Sequence, residues 1–312
     1  MATKTRDRIV TVIDSLARDY LQGKIRTLRL AVIATVCGGH LLLEDIPGLG
    51  KTTLALALAR TLGLSFGRVQ CTSDLLPSDI TGLSVFNREE NRFQFIPGPV
   101  FNNLLLVDEI NRAAPRTQSA LLEAMEERRV TVEGVTYPLP DPFLVIATQN
   151  PVEQVGTYPL PESQLDRFTL TTGLGYPPAE VEKAIIQGGR IREALQRLEP
   201  MLTIEEIQQA RRAAASVRLA DSLVDYIHRV VEATRRHPLI LSGISTRGAI
   251  NLAEASMAAA FLEGRDFVVP EDVQLVAVPV GAHRLLLRPE NEGLSKAEVL
   301  KSILQELPVP LA

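Results

Sequence analysis

The sequence predicts an α/β domain built on a parallel sheet sandwiched by helices, followed by a small all-helical domain. Three observations carry this. Short apolar runs recur through the first half at 40–43, 66–71, 103–107 and 143–148, with helical stretches between them. A glycine-containing loop joins the first run to an Ala/Leu-rich stretch. Past 173–178 (G-L-G-Y-P-P) the strand-like runs give way to helical patterning. Continuous apolar runs, rather than alternating ones, are expected of strands covered on both faces. Their order places ligands at the carboxyl ends of the strands.

The elements follow in order. Helices are expected at 24–36, 52–62 and 116–129. Residues 83–96 read as two short strands around a polar turn. Residues 130–139 alternate around Glu133-Gly134, a dipeptide suited to a hairpin turn. Residues 1–176 form the first domain and 177–312 the second. In the second, Thr203 and Glu206 form a capping box, helices are expected at 223–235 and 246–262, Pro270 opens another, and a last one covers 295–305. The polar amino terminus precedes no hydrophobic segment, which argues against export.

Residues 45–53 read D-I-P-G-L-G-K-T-T, between an apolar run and a helix. In that setting a loop of Pro47, Gly48, Leu49 and Gly50 can turn its backbone N–H groups inward around phosphate. Lys51 reaches the terminal phosphates, the Thr52 hydroxyl can ligate Mg²⁺, and Thr53 continues the first helical turn, whose positive end faces the anion. Asp45 stands where the usual pattern has its first glycine, so its carboxylate must turn away from the phosphates or be compensated. The run N-L-L-L-V-D-E (103–109) is a buried strand ending in two acids. Asp108 would hold Mg²⁺ through its water shell, and Glu109 would accept a proton from the attacking water. Asn150, at the end of F-L-V-I-A-T-Q-N, could lie between phosphate and water and orient the nucleophile. Turn chemistry alone also explains an Asn-Pro pair. Arg167 in L-D-R-F can be a cis ligand, a surface ion-pair former or a finger into a neighbour's site, and the residues alone leave the three open. Arg247, at a helix start in the second domain, could reach the γ-phosphate when that domain closes.

The chain has 312 residues, 46% hydrophobic and 22% charged, the composition of a soluble globular protein. Net charge is −4, and both halves sit at −2, so no basic stripe points to nucleic acid. No apolar run reaches the ~20 residues that span a membrane. Cys37 and Cys71 are too few for a zinc site or disulfide framework and read as buried free thiols. The histidines never pair at metal spacing. A reducing cytoplasm fits these features.

The runs 39–53, 105–134 (L-L-V-D-E-I-N-R-A-A-P-R-T-Q-S-A-L-L-E-A-M-E-E-R-R-V-T-V-E-G), 147–151 (A-T-Q-N-P) and 160–168 (L-P-E-S-Q-L-D-R-F) resemble MoxR-type AAA+ ATPases. The resemblance covers about 21–288. It implies an AAA+ core with a helical lid, ATP and Mg²⁺ as cofactors, and tolerance of an acid at Asp45. It implies sensor 1 for Asn150, the arginine finger for Arg167 and the sensor 2 arginine for Arg247. Gln22 and Gly23 resemble the segment that packs near adenine, and the two insertions resemble the helix-2 insert and pre-sensor-1 hairpin that face a ring pore. A ring, usually a hexamer, is implied, acting chaperone-like on partner complexes beside proteins with a von Willebrand factor A domain. Two departures stand out: no proline precedes Arg247, and 280–284 keeps only part of the expected pattern, so His283 is read as a packing residue. The competing readings are a nucleic-acid-stimulated motor, a metal-chelatase motor subunit and a non-hydrolysing nucleotide switch.

Overall fold

The computed structural model describes residues 2–151, 155–187, 195 and 197–310. An amphipathic helix, α1 (Ala2–Asp19), buries Ile9, Val12, Ile13 and Leu16. These fall at i, i+3, i+4 and i+7, one face of a helix. Next come α2 (Ile25–Val36), β1 (Leu41–Glu44), α3 (Lys51–Thr61) and β2 (Phe66–Gln70). A short helix, α4 (Pro77–Thr81), leads into the antiparallel ribbon β3 (Gly82–Asn87) and β4 (Arg92–Pro97). Then β5 (Leu104–Asp108), α5 (Pro115–Glu127), the hairpin β6 (Arg129–Val132) and β7 (Val135–Pro138), β8 (Leu144–Gln149), α6 (Glu162–Leu165) and β9 (Leu170–Thr172) complete the core. Glu133 and Gly134 both have positive φ (50° and 81°), as a two-residue hairpin turn with the twist of its strands requires.

Five strands form one parallel sheet in the order β2-β5-β8-β1-β9. Successive side chains alternate across it. Leu41, Leu43, Leu104, Leu106, Leu144 and Ile146 pack on the face covered by α1, α2 and α3. Leu42, Leu105, Val107, Val145 and Ala147 pack on the other, against Leu121, Leu122 and Met125 of α5. Both faces being covered explains the unbroken apolar runs. Each such Leu or Ile contributes roughly 1.5–3 kcal/mol by leaving water. The edge strand β2 departs from the expected continuous run. Gly67 and Val69 are buried, while Arg68 and Gln70, on the opposite face, are exposed and line the cleft at the strands' carboxyl ends.

The carboxyl-terminal part comprises α7 (Ala179–Ile186), α8 (Ile204–Ala215), α9 (Asp221–Arg236), α10 (Thr246–Leu262), α11 (Pro270–Gly281) and α12 (Lys296–Glu306). The capping box forms as expected: Thr203 Oγ1 accepts from Glu206 N (3.3 Å), and Thr203 N donates to the Glu206 carboxylate (3.0 Å). A two-stranded ribbon, β10 (Ile240–Ser242) with β11 (Leu286–Leu287), was not expected. Strands this short carry too little pattern to be read from sequence. Ile207, Tyr226, Leu252 and Val273 join the same apolar cluster as α1–α3 and one sheet face, so the helical part is packed continuously onto the core.

Among the described residues no helix is long and apolar enough to cross a membrane. Cys71 is buried and Cys37 half-buried, and burial pushes both thiols up to about 12.

Candidate active site

The glycine loop sits at the carboxyl end of β1, as the topology requires. Gly48 (φ +87°) and Gly50 (φ +94°) hold left-handed backbone that favours glycine, and Gly50 caps α3. The N–H groups of the first turn of α3 have no intrahelical acceptor and point at whatever lies before them. That space is a cleft of about 280 Å³. Pro47, Gly48, Gly50, Lys51, Thr52 and Thr53 line it from the loop and the start of α3, Arg68 and Gln70 from β2, Asp108 from the end of β5 with Glu109 just after it, and Thr148 from β8 with Asn150 just after that strand.

Lys51 Nζ donates to the Asp45 carbonyl (2.6 Å). Burial pulls its pKa down, opposed by Asp45, Asp108 and Glu109. The Asp45 carboxylate turns away from the cleft, as expected. It accepts from the Leu174 N–H and from the Gly175 N–H (3.1 Å). Lys24 Nζ holds the carbonyls of Leu174 (2.9 Å), Gly175 (2.6 Å) and Tyr176 (2.7 Å). The loop entrance and the chain leaving β9 are therefore tied together. Removing that carboxylate in Asp45→Ala leaves two N–H donors without their charged acceptor. A loss of about 1.5–3 kcal/mol is expected, measured by chemical denaturation. Unchanged stability would show that the tether contributes nothing.

Asp108 is buried, and its charge is met by Arg68 (Nε to Oδ2, 2.9 Å) and Thr148 (Oγ1 to Oδ1, 3.4 Å). The same Thr148 hydroxyl accepts from the Glu109 N–H (2.9 Å). Glu109 has φ 57° and ψ 52°, left-handed backbone in a non-glycine residue. Such a conformation costs about 1–3 kcal/mol and persists only where surroundings enforce it. Its carboxylate is held by Gln70 (3.3 Å) and Arg112 (2.8 Å). Thr52 and Asp108 offer hard oxygen donors facing one space, a set that suits Mg²⁺ with several of its waters retained.

A second cavity of about 470 Å³ adjoins the loop on its other side. Tyr20, Leu21, Leu49, Pro177, Val181 and Ile185 give it apolar walls. Gly23 does not itself line it, though Gln22 and Lys24 do. At φ +77°, with the Pro178 ring 2.7 Å from where a Cβ would sit, Gly23 lets the α1–α2 turn meet the start of α7.

Arg167 and Arg247 lie outside the cleft. Both pair with one carboxylate on α5: Arg167 with Glu126 Oε2 (3.1 Å), and Arg247 with Glu126 Oε1. His283 is buried, as expected of a packing residue, with Nε2 3.1 Å from the Phe168 carbonyl. Burial, then the neighbouring Arg284, hold it well below the usual histidine range.

The family described as "ATPase family associated with various cellular activities (AAA)" matches residues 40–170, and the AAA lid domain matches 232–303. The Chaperone MoxR1 of Mycobacterium tuberculosis is 38% identical, over 92% of this chain and 79% of its own. The chain belongs to the MoxR family of AAA+ ATPases. YeaC of Bacillus subtilis, an uncharacterized protein, is 45% identical over 93% of this chain and 91% of its own. A crystal structure of a Cytophaga hutchinsonii protein assigned as an ATPase superposes with TM-score 0.89 at 40% identity, covering 99% of this chain and 97% of that one. The α/β core with its helical lid is thus the AAA+ fold, and membership implies nucleotide binding and ATP hydrolysis.

Three residues lining the cleft escape a reading by motif. Arg68 and Gln70 are two apart on β2, facing the same way, and that alternation was the available signal. Thr148 gives none, since a buried threonine in an apolar strand is ordinary.

Proposed function

We propose that this chain binds Mg·ATP in the glycine-loop cleft, hydrolyses it between the subunits of a ring, and spends the cycle on remodelling or maturing partner protein complexes. The observation that carries this reading is one cleft gathering the loop of Gly48–Thr52, the Asp108–Glu109 pair and Asn150 from three separate strands' ends. The apolar cavity beside Leu49 suits the base, which places the phosphates against the loop amides.

In this reading Lys51 and the first-turn N–H groups of α3 hold the β- and γ-phosphates. Thr52 and Asp108 would hold Mg²⁺, which when bound neutralises charge on the phosphate oxygens. Glu109 takes the proton of the attacking water, and Asn150 fixes that water's position. Arg167 lies outside its own chain's cleft, half-buried against Glu126, which supports a role as a finger in a neighbour's site. Hexameric rings, cytoplasmic residence and partners with a von Willebrand factor A domain complete the proposal, on the strength of the family resemblance. A relative carrying the name chaperone supports a protein client.

Calorimetry with Mg·ATP, run beside light scattering, tests it. Saturable uptake at one site per chain is expected, with a rise in mass to that of a ring. Well-folded protein that takes up no Mg·ATP would overturn the reading.

A further inference from the structure

Arg68 brings a second cation to the glycine-loop cleft, and the chemistry described so far uses it only to meet the charge of Asp108. It stands on the edge strand β2, level with Leu106 of β5, and its side chain reaches forward to the end of that neighbouring strand. Nε donates to Asp108 Oδ2 (2.9 Å), and Nη2 lies 2.9 Å from the same oxygen. Nη2 also donates to the Gln70 amide oxygen (3.4 Å). Among the described residues these are its only side-chain partners, and both line the cleft. The Arg68 side chain is 44% exposed, against 10% for Asp108. The guanidinium therefore rests on a fixed carboxylate while little else holds it there.

The second observation is that Asp108 has no oxygen to spare. Oδ2 meets two nitrogens of Arg68, which occupies both lone pairs of that oxygen, and Oδ1 accepts from the Thr148 hydroxyl (3.4 Å). Yet Asp108 and Thr52 are the oxygen donors that suit Mg²⁺. One carboxylate oxygen cannot serve a guanidinium and a dication together, because the two cations repel strongly at such range. For Asp108 to engage the metal, Arg68 has to leave it. Glu109, the other acid in the cleft, is already held by Arg112 (2.8 Å) and Gln70 (3.3 Å). The negative charge left for Arg68 to meet is that of a terminal phosphate.

We propose that Arg68 is a ligand of the terminal phosphate of ATP bound by its own chain, exchanging Asp108 for a phosphate oxygen as Asp108 engages the metal. The inference rests on the cleft being the Mg·ATP site. Arg68 then has two effects. It competes with a divalent cation for Asp108 when no third phosphate is there to receive the guanidinium, and it adds a charge-assisted contact that ADP cannot make. The cleft thereby tells a triphosphate from a diphosphate within a single chain. An arginine suits the exchange because its planar fork matches carboxylate and phosphate oxygens alike.

The test compares the full chain with Arg68→Gln and Arg68→Lys, with Mn²⁺ in place of Mg²⁺ so that electron paramagnetic resonance reports free metal. Mn²⁺ is titrated into the protein–ADP complex, and calorimetry at saturating Mn²⁺ gives the affinities for ADP and for a non-hydrolysable ATP analogue. Arg68→Gln is expected to bind Mn²⁺ several-fold more tightly with ADP, since Asp108 loses its resident partner. Its preference for the ATP analogue over ADP should fall by about tenfold, the lower end of what a hydrogen bond to a charged group contributes. Arg68→Lys, which keeps the charge but not the fork, should fall between the parent and Arg68→Gln in both measurements. An arginine that served only to neutralise Asp108 would weaken both nucleotides alike and leave the preference where it was. Should Arg68→Gln melt below the parent, Arg68→Lys carries the same two comparisons. Parental Mn²⁺ affinity, or a parental preference between the two nucleotides, overturns the inference. A parent protein that takes up neither nucleotide would instead remove the reading on which it rests.

Discussion

Glu109→Gln is expected to keep Mg·ATP bound and to lose turnover by a factor of about 10²–10⁴, the range ascribed to a positioned proton acceptor. The amide preserves the shape of the side chain, so the backbone bend held by Thr148 remains. What disappears is the ability to accept a proton, together with the charge that pairs with Arg112 at 2.8 Å. The loop, Lys51 and Asp108 are untouched, so affinity should barely move. Phosphate release and calorimetry on the same preparation separate the two properties. Undiminished release would show that another group takes the proton. Because the variant stalls with nucleotide in place, partners engaged in that state should stay bound, and mass spectrometry of what co-purifies would identify the client.

Arg167→Ala should leave Mg·ATP binding intact and lower kcat by ~10³–10⁵, the worth of an arginine finger on phosphoryl transfer. The structure gives a reason to expect no loss of affinity in the same subunit, since Arg167 lies on Glu126 and not in its own cleft. It also gives a reason to expect little loss of stability. The pair is partly exposed, and such pairs contribute at most about 1 kcal/mol. Mixing Arg167→Ala with Lys51→Ala subunits should restore turnover, because each supplies what the other lacks. Mixed rings that stay inactive would count against sites shared between subunits.

Most of the fold was legible because burial writes itself into the sequence plainly. Strands β1, β5 and β8 lie under helices on both sides, so every residue on them from Leu41 to Leu43, Leu104 to Val107 and Leu144 to Ala147 is apolar and buried. The hairpin at Glu133-Gly134 was legible for a different reason, since few residue pairs tolerate two consecutive positive φ values. The helix at the amino terminus was overlooked although its signal was present. Ile9, Val12, Ile13 and Leu16 keep helical spacing, but charged residues dilute the segment's mean hydropathy. β9 contributes only three residues, too few for a pattern. For the cleft, the expected Lys51, Thr52, Asp108, Glu109 and Asn150 line one space, whereas Gly23, Leu49, Arg167 and Arg247 lie outside it. Arg68, Gln70 and Thr148 did not announce themselves, because their roles arise from strands brought side by side by topology. The convergence of Arg167 and Arg247 on Glu126 was equally hidden. It joins positions 126, 167 and 247, and no local pattern spans such separations.

The bend at Glu109 sets selection for folding against selection for chemistry at a single position. A glycine there would adopt the same backbone with no Cβ in the way, removing about 1 kcal/mol or more of strain. It would also remove the carboxylate that directly follows β5. Durability and the proton-accepting role proposed for Glu109 therefore pull in opposite directions at this one backbone position.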